Sequence, residues 1–198
     1  KAEENHDFAS DYMYTVYGNE SGLSSLEINC IVQTNDGYIW VGSYSGIYRY
    51  NGQEFEKISL DSKITNALSM YCDKKGRLWI GTNDNGLSIA INDKITNVVD
   101  EEDGLPANSV RCITQASGGN YYIGTTTSMQ VMTLNGGLHF TIELPEIVYA
   151  QSITADENNN IATVTNDGEL FLVNDEKVIS SDKLNAEQEI YTCVTLII

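Results

Sequence analysis

The feature that most constrains this chain is an internal repeat. Asp36-Gly37-Tyr38-Ile39-Trp40-Val41-Gly42 recurs as Lys75-Gly76-Arg77-Leu78-Trp79-Ile80-Gly81. A third copy reads Gly119-Asn120-Tyr121-Tyr122-Ile123-Gly124, and a weaker fourth reads Asn159-Asn160-Ile161-Ala162-Thr163-Val164. With Trp40, Trp79, Tyr122 and Ala162 as equivalents, the copies lie 39, 43 and 40 residues apart. A period near 40 is the length of one four-stranded propeller blade. Helical periodicity is missing from almost the whole chain, and short runs rich in Val, Ile, Tyr and Thr stand between Asn-Gly, Asp-Gly and Gly-Gly breaks.

Within the first unit the strands can be followed by their turn chemistry. Residues 27–34 read as the inner strand, 38–43 as the second, 46–50 as the third and 54–58 as the outer edge, with Asn51-Gly52 closing the last hairpin. The glycine that opens the third strand recurs as Gly86 and Gly168, with Ser128 in its place in the third unit, as a tight turn requires. The aromatic at the anchor position suits a blade buried on both faces, so Trp40, Trp79 and Tyr122 read as core. Ten positions before each anchor stands a small residue, Cys30, Ser69, Cys112 or Ser152. Cys30 and Cys112 on alternate blades are badly placed to bridge, and neither they nor Cys72 and Cys193 show a metal-ligand spacing.

The expected architecture is therefore all-β: four antiparallel four-stranded blades at about 23–58, 63–98, 105–142 and 147–179 in one partial propeller domain. Residues 12–17 align with the outer strand of the second unit, and 189–198 read as the inner strand of a further blade. Orphan strands at both ends describe a piece of a larger propeller, and open blade edges are an invitation to self-association.

Charge narrows the partners. Eleven Lys and Arg against 28 Asp and Glu leave a net charge of −17, which opposes nucleic acid and anionic membrane surfaces. No run of apolar residues is long enough for a membrane-spanning helix.

Gly22-Leu23-Ser24-Ser25, the core Asp36 to Ser43, Gly46-Ile47-Tyr48-Arg49-Tyr50-Asn51-Gly52 and Phe55 together resemble the two-component regulator propeller repeat. The second unit keeps Gly76, Leu78, Trp79, Gly81, Thr82, Gly86 and Leu87; the third keeps Gly104-Leu105-Pro106, Gly124 and Thr125; the fourth departs most. The resemblance implies the extracytoplasmic sensor of a membrane-anchored signalling protein, a histidine kinase or a diguanylate cyclase, with polysaccharide fragments as common inputs. It also implies a module without chemistry or cofactors of its own.

A search for catalytic groups agrees with that expectation. His6 and His139 have no nucleophile or carboxylate at a motif spacing. A sialidase-like hydrolase or lyase is the sharpest enzymatic alternative, because Thr34 to Trp40 loosely resembles an Asp-box turn, but three arginines (Arg49, Arg77, Arg111) are too few for its carboxylate-binding cluster. The runs Asp100 to Asp103, Asn83 to Asn85 and Asp156 to Asn160 lack the alternation of a calcium loop, so no metal is expected. Ligand contacts are expected instead where the connections between blades meet those between second and third strands. Tyr44, Asn83, Asp84, Asn85, Thr126 and Arg111 are the candidates there, their hydroxyl, amide and aromatic groups suiting an oligosaccharide. The remaining alternative is a propeller serving as a protein-interaction or dimerisation platform without a small ligand.

Overall fold

The computed structural model describes residues 15–25, 27–61, 63–133, 137–144, 148–174 and 177–183. They form four four-stranded antiparallel sheets, each a meander in chain order. The first holds β1 (Ile28–Gln33), β2 (Ile39–Ser43), β3 (Gly46–Tyr50) and β4 (Phe55–Ile58); the second β5 (Ala67–Cys72), β6 (Leu78–Thr82), β7 (Leu87–Ile91) and β8 (Lys94–Val99). The third holds β9 (Val110–Gln115), β10 (Tyr121–Thr125), β11 (Ser128–Met132) and β12 (Leu138–Glu143); the fourth β13 (Val148–Ala155), β14 (Asn160–Thr165), β15 (Glu169–Asn174) and β16 (Lys177–Lys183). Successive inner strands β1, β5, β9 and β13 contact one another, and the four sheets do not close into a ring. The expected strand at 189–198 and residues 12–14 lie outside the described residues. Residues 15–17 take no strand pairing, and Tyr17 meets Tyr50 and Phe55 edge-on at 5.2 and 5.4 Å.

The core sits between blades, because side chains alternate across each pleated sheet and the second and third sheets meet a neighbour on both faces. Trp40 and Ile47 of the first blade pack against Ala67, Leu78, Ile80 and Ala90 of the second. Trp79, Leu87 and Ile89 of the second pack against Val110, Tyr121, Ile123 and Met132 of the third. Tyr122, Met129 and Val131 then meet Ile161, Phe171 and Val173. The fourth blade lacks the aromatic anchor, and Phe171 fills that seam from the third strand instead.

The small residues on the inner strands have a local cause. Cys30, Ser69 and Cys112 pair with Gly42, Gly81 and Gly124 on the second strands. A Cβ built on Gly81 would collide with the Ser69 hydroxyl and with Val110 of the next blade, and one on Gly42 with the Cys30 sulfur. Cys30 and Cys112 are buried thiols, and Cys72 is a half-buried one.

One interblade seam is polar. The Asp73 carboxylate, wholly shielded from solvent, accepts the backbone N–H groups of Lys75 and Arg77 at 2.9 Å each through Oδ1. Its Oδ2 accepts Arg77 Nε at 2.6 Å, Trp79 Nε1 at 3.0 Å and the Tyr121 hydroxyl of the next blade at 2.8 Å. Arg77 Nη2 in turn donates to the Tyr121 hydroxyl at 2.8 Å, and the Tyr121 ring stacks on Trp79 with centroids 3.9 Å apart. Burial alone would raise the Asp73 carboxyl; the Arg77 backbone N–H, the Trp79 indole, the guanidinium and the Tyr121 hydroxyl outweigh it and hold it below the usual carboxylate range. Burial first, and then the neighbouring carboxylate, push the Tyr121 hydroxyl strongly up.

Candidate functional site

The two ends of the propeller are built differently. At one end lie the β2–β3, β6–β7 and β10–β11 turns together with the connections between blades. Each turn is held by a hydroxyl at the close of the second strand: Ser43 Oγ donates to the Gly46 carbonyl at 3.0 Å, Thr82 Oγ1 to Gly86 at 3.0 Å and Thr125 Oγ1 to Ser128 at 2.8 Å. Gly46, Gly86 and Gly168 all have positive φ, at 118°, 70° and 80°, where a Cβ is strained. Ser128 does not, and its N–H bonds back to Thr125 Oγ1 at 3.2 Å.

Backbone hydrogen bonds tie this end together across blades. The Asn66 N–H donates to the Tyr44 carbonyl at 3.0 Å, and the Asn83 N–H to the Asn66 carbonyl at 3.1 Å. Ser109 Oγ then reaches Asn83 Oδ1 at 3.4 Å, and the Gly86 N–H reaches the Asn108 carbonyl at 2.9 Å. The candidates Tyr44 and Asn83 thus stand on one polar chain that leads to Ser109, two residues before Arg111. Tyr44 is 67% exposed, its ring open to solvent. Asn83 Nδ2 donates to Asp84 Oδ1 at 2.7 Å, and Asn85 is half-buried, its Nδ2 donating to the Lys63 carbonyl at 3.0 Å. Thr126 is half-buried in the next turn, whose neighbour Thr127 donates to the Pro106 carbonyl at 3.2 Å.

Arg111 stands apart through its backbone. In the first three sheets the inner strand carries one extra residue at the same place, a β-bulge. Asn29 lies between the pairs Ile28–Ser43 and Cys30–Gly42, Leu68 between Ala67–Thr82 and Ser69–Gly81, and Arg111 between Val110–Thr125 and Cys112–Gly124. The register was not legible in the repeat, because aligned copies all carry the extra residue. Asn29 uses the position to reach the next blade, donating from Nδ2 to the Ala67 carbonyl at 3.0 Å.

The opposite end holds a cleft of ≈ 340 Å³ that the sequence did not point to. Its floor is Trp40, Leu60, Leu78, Ala90 and Ile91, between the first and second blades, and its rim is formed by Thr34 to Asp36, Lys75, Asn92 and Asp93 from three hairpin turns. Arg49 crosses that seam to Asp93 at 2.7 Å, its guanidinium carbon 5.3 Å from the Trp40 ring centroid. Among the described residues there is no group of three His, Cys, Asp or Glu side chains that could hold a metal ion. His139 is exposed on β12.

Residues 22–45, 60–84 and 104–127 match the two component regulator propeller family. Among solved structures, the extracellular domain of BT3049 from B. thetaiotaomicron, assigned to a hybrid two component system, is 20% identical with a TM-score of 0.67, covering 83% of this chain and 26% of that domain. The extracellular domain of BT4673 from the same organism, assigned to a one component system, is 16% identical with a TM-score of 0.64, covering 80% and 24%. Virginiamycin B lyase from Staphylococcus aureus, solved as its inactive H270A form with quinupristin, is 15% identical with a TM-score of 0.67, covering 81% and 57%. These likenesses are likenesses of fold, and the chain spans about a quarter of the length of the first two domains. No curated protein matches the sequence.

Proposed function

We propose that this chain, whose first three blades carry two-component regulator propeller repeats, is part of the extracytoplasmic ligand-sensing propeller of a membrane-anchored signalling protein. The observation that carries this reading is the coincidence of those repeats with blades that share their fold with the extracellular domains of BT3049 and BT4673. The sensed ligand is an oligosaccharide fragment, and it is met at the end where Tyr44, Asn83, Asp84, Asn85, Thr126 and Arg111 stand. An exposed tyrosine ring supplies an apolar face for a sugar ring, and the surrounding amides and hydroxyls supply directional hydrogen bonds. The propeller performs no reaction; its ligand biases a separate output domain, a kinase or a cyclase. The fold likeness to virginiamycin B lyase carries no catalytic residue into this chain, since it rests on 15% identity.

The test is a thermal-shift screen of the chain against neutral and acidic oligosaccharides. Stabilisation that saturates with concentration, and that is lost in Tyr44→Ala, is the expected result. The absence of stabilisation by any sugar, accompanied by a tight dimer in sedimentation, overturns it.

That second outcome has its own support. Ile28 and Ile31 on the inner strand of the first sheet are 43% and 68% exposed, whereas Ile113, at the position of Ile31 in the third blade, is 7% exposed. A face that is buried in one blade and bare in another is a surface for a further blade or for a second copy.

A further inference from the structure

Of the three arginines, two are fully engaged. Arg49 pairs with Asp93 at 2.7 Å and Glu56 at 3.7 Å, and Arg77 with Asp73 at 2.6 Å and Tyr121 at 2.8 Å. Arg111 makes no ion pair with any described residue, and its Nε, shielded from solvent, has no hydrogen-bond partner. A shielded N–H donor without a partner carries a desolvation cost that a hydrogen bond would offset. Such a group in a folded protein calls for a partner: a bound water, an ion or a ligand.

The backbone is arranged to place that group. Arg111 is the extra residue of the β9 bulge, freed from the pleat alternation that would otherwise commit its side chain to one interblade core. The same bulge holds Asn29 and Leu68 in the preceding blades, so one backbone device presents an amide, an aliphatic and a cation along successive inner strands. Of the three, only the arginine leaves a shielded side-chain donor, its Nε, without a partner among the described residues.

We infer that Arg111 is the anion-recognition residue of this propeller end, and that the ligand carries a carboxylate, sulfate or phosphate group. The inference rests on the sensor reading above and names the chemical class of its ligand. Nε and one Nη form the side-on fork of a guanidinium, which matches two oxygens of such a group in a bidentate contact. Ser109 and Asn83, joined at 3.4 Å on the adjoining polar chain, supply neutral groups for the rest of the molecule.

The experiment titrates the 198-residue chain with D-glucuronate against D-glucose, and with sodium sulfate against sodium chloride at equal ionic strength, following thermal stability and heat of binding. Glucuronate and sulfate are expected to bind and glucose and chloride to do so far less. Arg111→Gln, with its fold verified by circular dichroism, is expected to weaken the anions by about 10- to 100-fold, the loss of a charge-assisted hydrogen-bond pair. Arg111→Lys keeps the charge but not the fork and should fall between; it serves as the readout if the glutamine variant does not fold. Arg49→Gln should bind as the parent does. Equal anion binding by parent and Arg111→Gln, or no preference of the parent for anions, overturns the inference. An oligosaccharide that binds no better when acidic removes Arg111's role and leaves the sensor standing; Arg111-dependent anion binding with no oligosaccharide bound does the reverse.

Discussion

The Tyr121 hydroxyl on the third blade donates to Asp73 on the second at 2.8 Å, across 48 residues of sequence, while its ring lies on Trp79. One carboxylate therefore receives five donors, four from its own hairpin and strand and one from the neighbouring blade. Replacing Asp73 with Asn should leave Arg77 and the indole N–H poorly paired in a shielded seam and cost about 3–5 kcal/mol. Tyr121→Phe removes one of the five donors and should cost about 1–2 kcal/mol. Urea midpoints of the two variants check both values; equal losses would mean that the tyrosine, and not the carboxylate, organises the seam.

The same network sets a pH dependence. The Asp73 carboxyl titrates below its ordinary range in the folded chain, so its contribution is full above the unfolded value of about 4 and is lost as pH falls towards the folded one. The stability gap between the parent and Asp73→Asn should narrow steadily below about pH 4. Tyr121 titrates above its ordinary range, so its contribution is full below about pH 10 and declines as pH rises beyond it. Urea midpoints for parent and Asp73→Asn across the acid range test the first statement, and parent against Tyr121→Phe in alkali the second.

Gly81→Ala should destabilise the chain by about 1–3 kcal/mol, because the added methyl meets the Ser69 hydroxyl and Val110 of the next blade in a seam with no slack. Gly18→Ala is the control: nothing lies within 4 Å of its Cβ, and a change within about 0.5 kcal/mol is expected. Thermal unfolding of the pair measures the difference.

The Arg49–Asp93 pair also links two blades, yet it is half open to water, with side-chain exposures of 22% and 50%. Asp93→Asn should therefore cost less than about 1 kcal/mol, and that cost should shrink with added salt. A loss as large as that of Asp73→Asn would show that the cleft beneath Arg49 depends on the pair.

The blade plan was legible because each copy spends the same residues on the same demands. The anchors Trp40, Trp79 and Tyr122 are buried where the repeat placed them, and Cys30, Ser69 and Cys112 are small because each faces a glycine. The Asp73 network was missed although it left a trace: Asp73 and Asp156 both stand six residues before the anchor position, each accepting from a polar residue four further on, Arg77 or Asn160. What no repeat could reveal was Tyr121, the neighbour of the aligned anchor, whose side chain faces the preceding blade. The bulge at Arg111 was hidden for a different reason, since counting residues says nothing of which pairs of them exchange hydrogen bonds. The cleft between the first two blades arises from three hairpin turns brought together by packing, and no single stretch of sequence carries it.

Because each core belongs half to one sheet and half to the next, a blade is a unit of backbone but not of stability. Duplicating or exchanging a blade by itself would mate two half-cores that had never met, Trp79 against something other than Tyr121. Variation within such an array is tolerated more readily at positions outside the interblade cores. The bulge on the inner strand is one of these, and asparagine, leucine and arginine already occupy it in three successive copies. A propeller of this kind can change what it recognises one residue at a time while its interblade cores stay as they are.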